Sequence, residues 1–108
     1  FDSISFPTPI LWNANYTNEI VYPNPFVSFA NIEFTMNEPE IISMDIFDVN
    51  SRLIRHLLPA QRIGAGSFRI TWDGTDDQNN RLSSGAYFYR ITDEHGSVRT
   101  GRILLQNP

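Results

Sequence analysis

Cysteine is missing from this chain altogether. That excludes a disulfide framework, a thiolate zinc site and a cysteine nucleophile, and leaves packing, or packing with a bound ion, to hold the fold. It does not fix the compartment. Lysine is missing too: all eight basic residues are arginine, spread one by one among twelve acidic residues, for a net charge of -4. A phosphate-backbone partner calls for a clustered basic face, so the balance argues against nucleic acid. No apolar run approaches the roughly 18 residues of a membrane-spanning helix, and no stretch of these 108 residues is expected to act as a signal peptide. Histidine is limited to His56 and His95, neither beside a serine elbow, so the expectation is a protein that is not an enzyme.

What is present is strand. Phe68, Ile70 and Trp72 alternate with Arg69 and Thr71, the period-2 pattern of a strand with one buried face. The run DGTDDQNN concentrates residues that tolerate left-handed backbone or bond their own main chain, so the chain reverses there and returns as Ala86 to Thr92. Ser83, Gly85, Tyr87 and Tyr89 then stand at the spacing of an immunoglobulin-type tyrosine corner. Upstream, Ile32, Phe34 and Met36 alternate with Glu33 and Thr35, and Ile42, Met44 and Ile46 with Ser43 and Asp45. Asp48 to Ser51 supplies a hairpin turn into Arg52 to Leu58, where both faces are partly apolar and the inward one is left open. A loop is expected from Pro59 to Gly66, and a last strand over Val98 to Gln106 after a turn at Glu94-His95-Gly96. About seven antiparallel strands and no helix predict an all-β, Ig-like β-sandwich preceded by an extended N-terminal segment. At 108 residues and 41% hydrophobic, the chain has material for one core.

The predicted domain boundary lies at residue 20. Residues 1–20 read as extended chain, with Phe1, Ile4 and Phe6 ahead of Pro7 and Pro9, then Ile10, Leu11 and Trp12. They are either a linker or terminal edge strand, or a donor strand, anchored by Phe1, Ile4, Phe6, Ile10 and Trp12, that completes another subunit's sheet. Asn15-Tyr16-Thr17 is a glycosylation sequon that also reads as a turn. Residues 21–108 form the sandwich, entered through VYPNPF, whose prolines confine it to a sheet edge with Tyr22 and Phe26 inward. The first residue is Phe1 rather than methionine, so a processed mature protein or a piece of a longer one is expected.

The order YPNPF, ANIEFTM, ISMDIFDVNSRLIRHL, AGSFRITWDGTDDQNNRLSSGAYFYRI and RTGRILL, spanning Val21 to Leu105, resembles the C-terminal sorting domain of type IX secretion cargo, a family sharing an Ig-like sandwich with the flagellar hook-capping protein. The resemblance implies a secreted, non-catalytic module. Such domains direct cargo across the outer membrane of Bacteroidota-like bacteria, where a surface sortase commonly removes them and joins the cargo to lipopolysaccharide. It places the address around Arg99, Arg102, Ile103, Leu104 and Leu105, and it implies protein partners, either secretion machinery or neighbouring copies. Two features depart from the family pattern: Ser51 stands where glycine is usual, which moves the positive-φ position to Asn50 or changes the turn, and Gln106-Asn107-Pro108 replaces the usual basic end. The alternative is a structural subunit of an extracellular filament, assembled by donating the N-terminal strand to a neighbour. A third reading is an accessory domain binding carbohydrate or calcium.

Asp73, Asp76, Asp77 and Asn79, with Asn80, gather hard oxygen donors on one turn and offer a calcium site, although Asp-Gly and Asn-Asn are also ordinary turn chemistry. No other cofactor is expected. The aromatic set Trp72, Tyr87, Phe88 and Tyr89 reads as core or as a sugar platform; Phe88 points away from Tyr87 and Tyr89 and requires a cover of its own.

Overall fold

Period-2 alternation gives each strand one apolar face, and the fold follows from burying those faces against each other. The computed structural model describes residues 16–107. It contains seven strands: β1 (Tyr16–Tyr22), β2 (Ala30–Met36), β3 (Glu40–Phe47), β4 (Leu53–Ile63), β5 (Gly66–Trp72), β6 (Gly85–Asp93) and β7 (Val98–Leu105). They form a three-stranded sheet in the order β1-β2-β5 and a four-stranded sheet in the order β4-β3-β6-β7. Every ladder between these strands is antiparallel. This is the Ig-like sandwich that the alternation predicts.

Ile32, Phe34 and Met36 of β2 meet Ile42, Met44 and Ile46 of β3 in the core, with Ile91 of β6 and Ile103 and Leu105 of β7. Trp72 is fully buried, its ring centroid 5.5 Å from both Phe26 and Tyr87, and its indole N–H donates to the Thr75 carbonyl at 2.9 Å. Tyr87 closes the corner by donating its hydroxyl to the Ser83 carbonyl at 2.7 Å, as the Ser83–Tyr87 spacing predicts.

Three tight turns repeat one hydrogen-bond pattern, and in each an aspartate comes first. Asp48, Asp76 and Asp93 each accept, through Oδ1, the amides two and four residues on: Asn50 and Arg52, Gln78 and Asn80, His95 and Ser97. Each aspartate carbonyl also accepts the amide three residues on, and each aspartate amide donates to the carbonyl four residues on. The fourth position of each turn is left-handed: Ser51 (φ 65°), Asn79 (φ 66°) and Gly96 (φ 84°). Left-handed backbone is thus carried by Ser51 itself, not by Asn50, and the turn keeps the geometry that glycine would have served.

Three other expectations are corrected. The first strand is Tyr16–Tyr22, ahead of the proline segment, and includes residues assigned above to the extended N-terminal stretch; the prolines end it because they cannot donate to a ladder. In its register Val21 opposes Ile32 and packs on the core, so Tyr22 falls on the outer face, where its hydroxyl meets Glu33 at 3.3 Å. Only Phe26 of that pair is inward. Finally, β4 does not stop at Pro59 but continues to Ile63. Ile42 opposes Gln61 and Met44 opposes Leu58, so Pro59 and Ala60 together face Ser43 in a bulge on an edge strand, where a missing N–H is tolerated.

Candidate functional site

The acidic turn is spent on its own chain. Asp73 Oδ1 accepts the Thr75 amide (3.2 Å) and hydroxyl (2.5 Å), Asp76 binds the turn amides and the Asn80 side chain, and Asp77 accepts the His56 amide at 3.0 Å and pairs with His56 Nδ1 at 2.9 Å. Amide donation from Asn80 holds the Asp76 carboxyl below the usual carboxylate range, and donation from His56 does the same for Asp77. The Asp77 amide also donates to the Ile54 carbonyl at 3.2 Å, so this loop lies along the outer edge of β4. The structure therefore brings Asp76 together with Asn80 and turns Asp73 and Asp77 toward other partners.

The opposite edge of the same sheet is covered by the proline segment. Phe26 bonds β7 through its amide to the Leu104 carbonyl (2.9 Å) and accepts the Gln106 amide (2.8 Å). Between the two prolines, the Asn24 side chain takes over where main chain cannot serve: it accepts the Leu104 amide at 2.8 Å and donates to the Arg102 carbonyl at 3.1 Å. Within β7 the residues singled out from the sequence divide by face. Ile103 and Leu105 are core, while Arg102 is exposed and Leu104 half-buried on the outside. Arg99 pairs with Glu19 of β1 at 3.2 Å.

That Glu19 carboxylate also accepts the Tyr89 hydroxyl, so it joins β1 to β6 as well as to β7. Burial, reinforced by the bond to Glu19, pushes the Tyr89 phenol well above its ordinary pKa, so it remains a donor. Tyr89 opposes Gly101, and a Cβ added at Gly101 would overlap the Tyr89 ring. The glycine of RTGR is there to admit that ring.

The outer face of the four-stranded sheet carries the feature that best qualifies as a site. Register places Leu53, Phe47, Phe88 and Arg102 in one row across all four strands. The Arg90 guanidinium stacks over the Phe47 ring, 4.3 Å from its centroid. Beside them a shallow depression of about 390 Å³ is lined by Phe47, Val49, Phe88, Arg90 and Thr100, with Val49 66% exposed at its rim. Phe88 is thus only half covered, by Phe47. Sequence reasoning singled out Phe88 but missed Phe47, Arg90, Asn24 and Glu19. The signal for Phe47 was available: it follows Ser43 and Asp45 in the outward phase of β3 as a large apolar residue, just as Phe88 stands in the outward phase of β6. The donor-strand anchors Phe1, Ile4, Phe6, Ile10 and Trp12 lie outside the described residues.

The profile of the FlgD Ig-like domain matches residues 28–97, well over half of the 108. Among curated proteins no relative matches. Among solved structures, dimeric latent PorU from Porphyromonas gingivalis superposes with a TM-score of 0.63 at 17% identity, covering 83% of this chain and 9% of that one. PorZ, a surface component of the type IX secretion system of the same organism, gives 0.57 at 20%, covering 83% and 12%. The DNA glycosylase AlkC of Pseudomonas fluorescens gives 0.58 at 15%, covering 85% and 30%. The chain thus spans less than a third of each of these proteins, and they share with it a fold that serves unrelated functions. With two sheets in this order, a tyrosine corner at Tyr87 and the profile running from Ser28 to Ser97, the chain belongs to the FlgD Ig-like domain family.

Proposed function

We propose that the chain is a non-catalytic extracellular module that exports and attaches a protein to the bacterial cell surface, in the manner of type IX secretion sorting domains, with 21–108 as the sorting unit. The observation that carries this reading is the presentation of β7. Its inward residues Ile103 and Leu105 fasten it to the core, Asn24 and Phe26 fix its edge, and Arg102 and Leu104 are left facing outward beside Phe88. A strand bonded along both edges of its backbone has little ordering entropy left to lose on recognition. The PorU and PorZ likenesses support the reading at the level of fold. Fused behind a reporter in a bacterium with type IX secretion, the wild-type chain is expected to carry it to the surface. Exchanging the outward residues Arg102 and Leu104 for Glu and Ser is expected to stop export while leaving the melting temperature within a few degrees. Normal export of that variant counts against the address.

A second reading is favoured by the position of β1. It is an edge strand of the three-stranded sheet, and Ile20 on it is 50% exposed. In this reading Phe1, Ile4, Phe6, Ile10 and Trp12 complete the sheet of a neighbouring copy in a filament. Deletion of residues 1–12 is then expected to give soluble monomers by light scattering; polymers from the truncated chain would end that reading.

A further inference from the structure

We propose that the outer edge of β5 is the acceptor for the N-terminal segment of a second copy of this chain, which adds to the three-stranded sheet as a fourth strand. The inference rests on the donor-strand reading above and names the surface that reading requires. β5 is an edge strand, paired with β2 from Ala30 opposite Trp72 to Met36 opposite Gly66 without a register shift. A straight edge of this kind is a template for another strand. Among the described residues, each of the other three sheet edges is guarded. The acidic turn bonds β4 at Ile54 and His56, and β4 carries its own bulge at Pro59. The proline segment bonds β7, and a register shift between Thr17 and Ile20 breaks β1. β5 has neither bulge nor proline, and its one charge, Arg69, leans back across β2 to the Tyr22 hydroxyl and Glu33.

The sandwich is also a strand short on this side. Glu19 of edge strand β1 meets Arg99 of edge strand β7, so the two sheets end together there. Three strands against four then leave β4 overhanging beyond β5 at the opposite side. That is where apolar residues packed on the core stay half-buried: Ile54 and Leu57 on β4, Phe68 and Ile70 on β5. An added strand would cover them with an apolar face of its own. The chain carries a segment of matching length and pattern. FDSISF stands ahead of Pro7, and its Ile4 and Phe6 have the two-residue spacing of Phe68 and Ile70. β1, into which residues 1–15 lead, is the opposite edge of the accepting sheet, so the segment that reaches β5 is a neighbour's.

Light scattering and amide hydrogen exchange on the full chain, across a range of concentrations, test this. Association is expected to slow exchange within residues 67–71 by about tenfold or more, with Tyr16–Tyr22 of β1 unchanged. Ile70→Lys puts a charge on the half-buried inner face of β5 and should weaken association by about tenfold or more, whereas Ile20→Lys on β1 should associate as the wild type does. If Ile70→Lys melts more than a few degrees low, the exchange pattern of the wild type decides. Association that requires residues 1–12 but protects β1, or that survives in a folded Ile70→Lys, would overturn the assignment to β5 and leave the donor-strand reading standing. A full chain that stays monomeric throughout, whether or not β5 is protected within it, would overturn both.

Discussion

Ser51 has a left-handed backbone that costs an L-residue about 1–2 kcal/mol, while glycine gives back about 0.5–1 kcal/mol of that through the unfolded chain. Ser51→Gly is therefore expected to stabilise the domain by roughly 0.5–1 kcal/mol, read as a rise in melting temperature. A fall would show that the turn is not the one described. Gly101 makes the opposite case. Its φ is not left-handed, and what matters is the Tyr89 ring pressed against it, so Gly101→Ala is expected to cost about 1–3 kcal/mol by overpacking. The capping aspartates give a signed pH dependence. Amide donation from Arg52 holds the Asp48 carboxyl below its ordinary 3.8, and Asn80 does the same for Asp76. A depressed folded-state value contributes stability in full above the unfolded-state pKa, lost as pH falls through the lower folded values. Stability should accordingly decline below about pH 4. Asp48→Asn with Asp76→Asn keeps the acceptor oxygens but cannot titrate, so this pair should flatten that decline in urea melts; an unchanged acid limb would refute the assignment.

Strands that were legible in the sequence have one buried face throughout. In β2, Ile32, Phe34 and Met36 never change phase, nor do Ile42, Met44 and Ile46 in β3. Strands that were not legible contain a bulge. Between Thr17 and Ile20 the register of β1 shifts, and in β4 the bulge at Pro59 and Ala60 reverses the phase, so a window of strict alternation fails in both. The edge covers were hidden for a different reason: Asn24 and Asp77 act through side chains on strands far away in sequence, which no local pattern reports. Both edges of the four-stranded sheet are thereby shielded over part of their length, Arg102–Gln106 by the proline segment and Ile54–His56 by the acidic turn. Asn24→Ala is expected to cost about 1–2 kcal/mol and to speed hydrogen exchange at the Leu104 amide far more than at Ile91 in the core. Equal protection in both proteins would mean that the Asn24 bond does not form.

For the whole molecule, sequence order located the surface better than it identified the side chains on it. Phe88 was recognised as outward and in need of a cover, and the structure supplies Phe47 with Arg90 stacked upon it, leaving a shallow aromatic depression next to Arg102 and the final strand. Among the residues marked for calcium, Asp76 accepts turn amides and Asp77 ties the loop to β4. Among the described residues the sandwich has one continuous core, an outer face bearing that depression, and a last strand pinned at both edges. The most direct test is where a fused reporter goes in a bacterium with type IX secretion and in the same strain with that system disabled. Surface display in the first and retention inside the cell in the second is the predicted result; equal display in both strains would contradict the account.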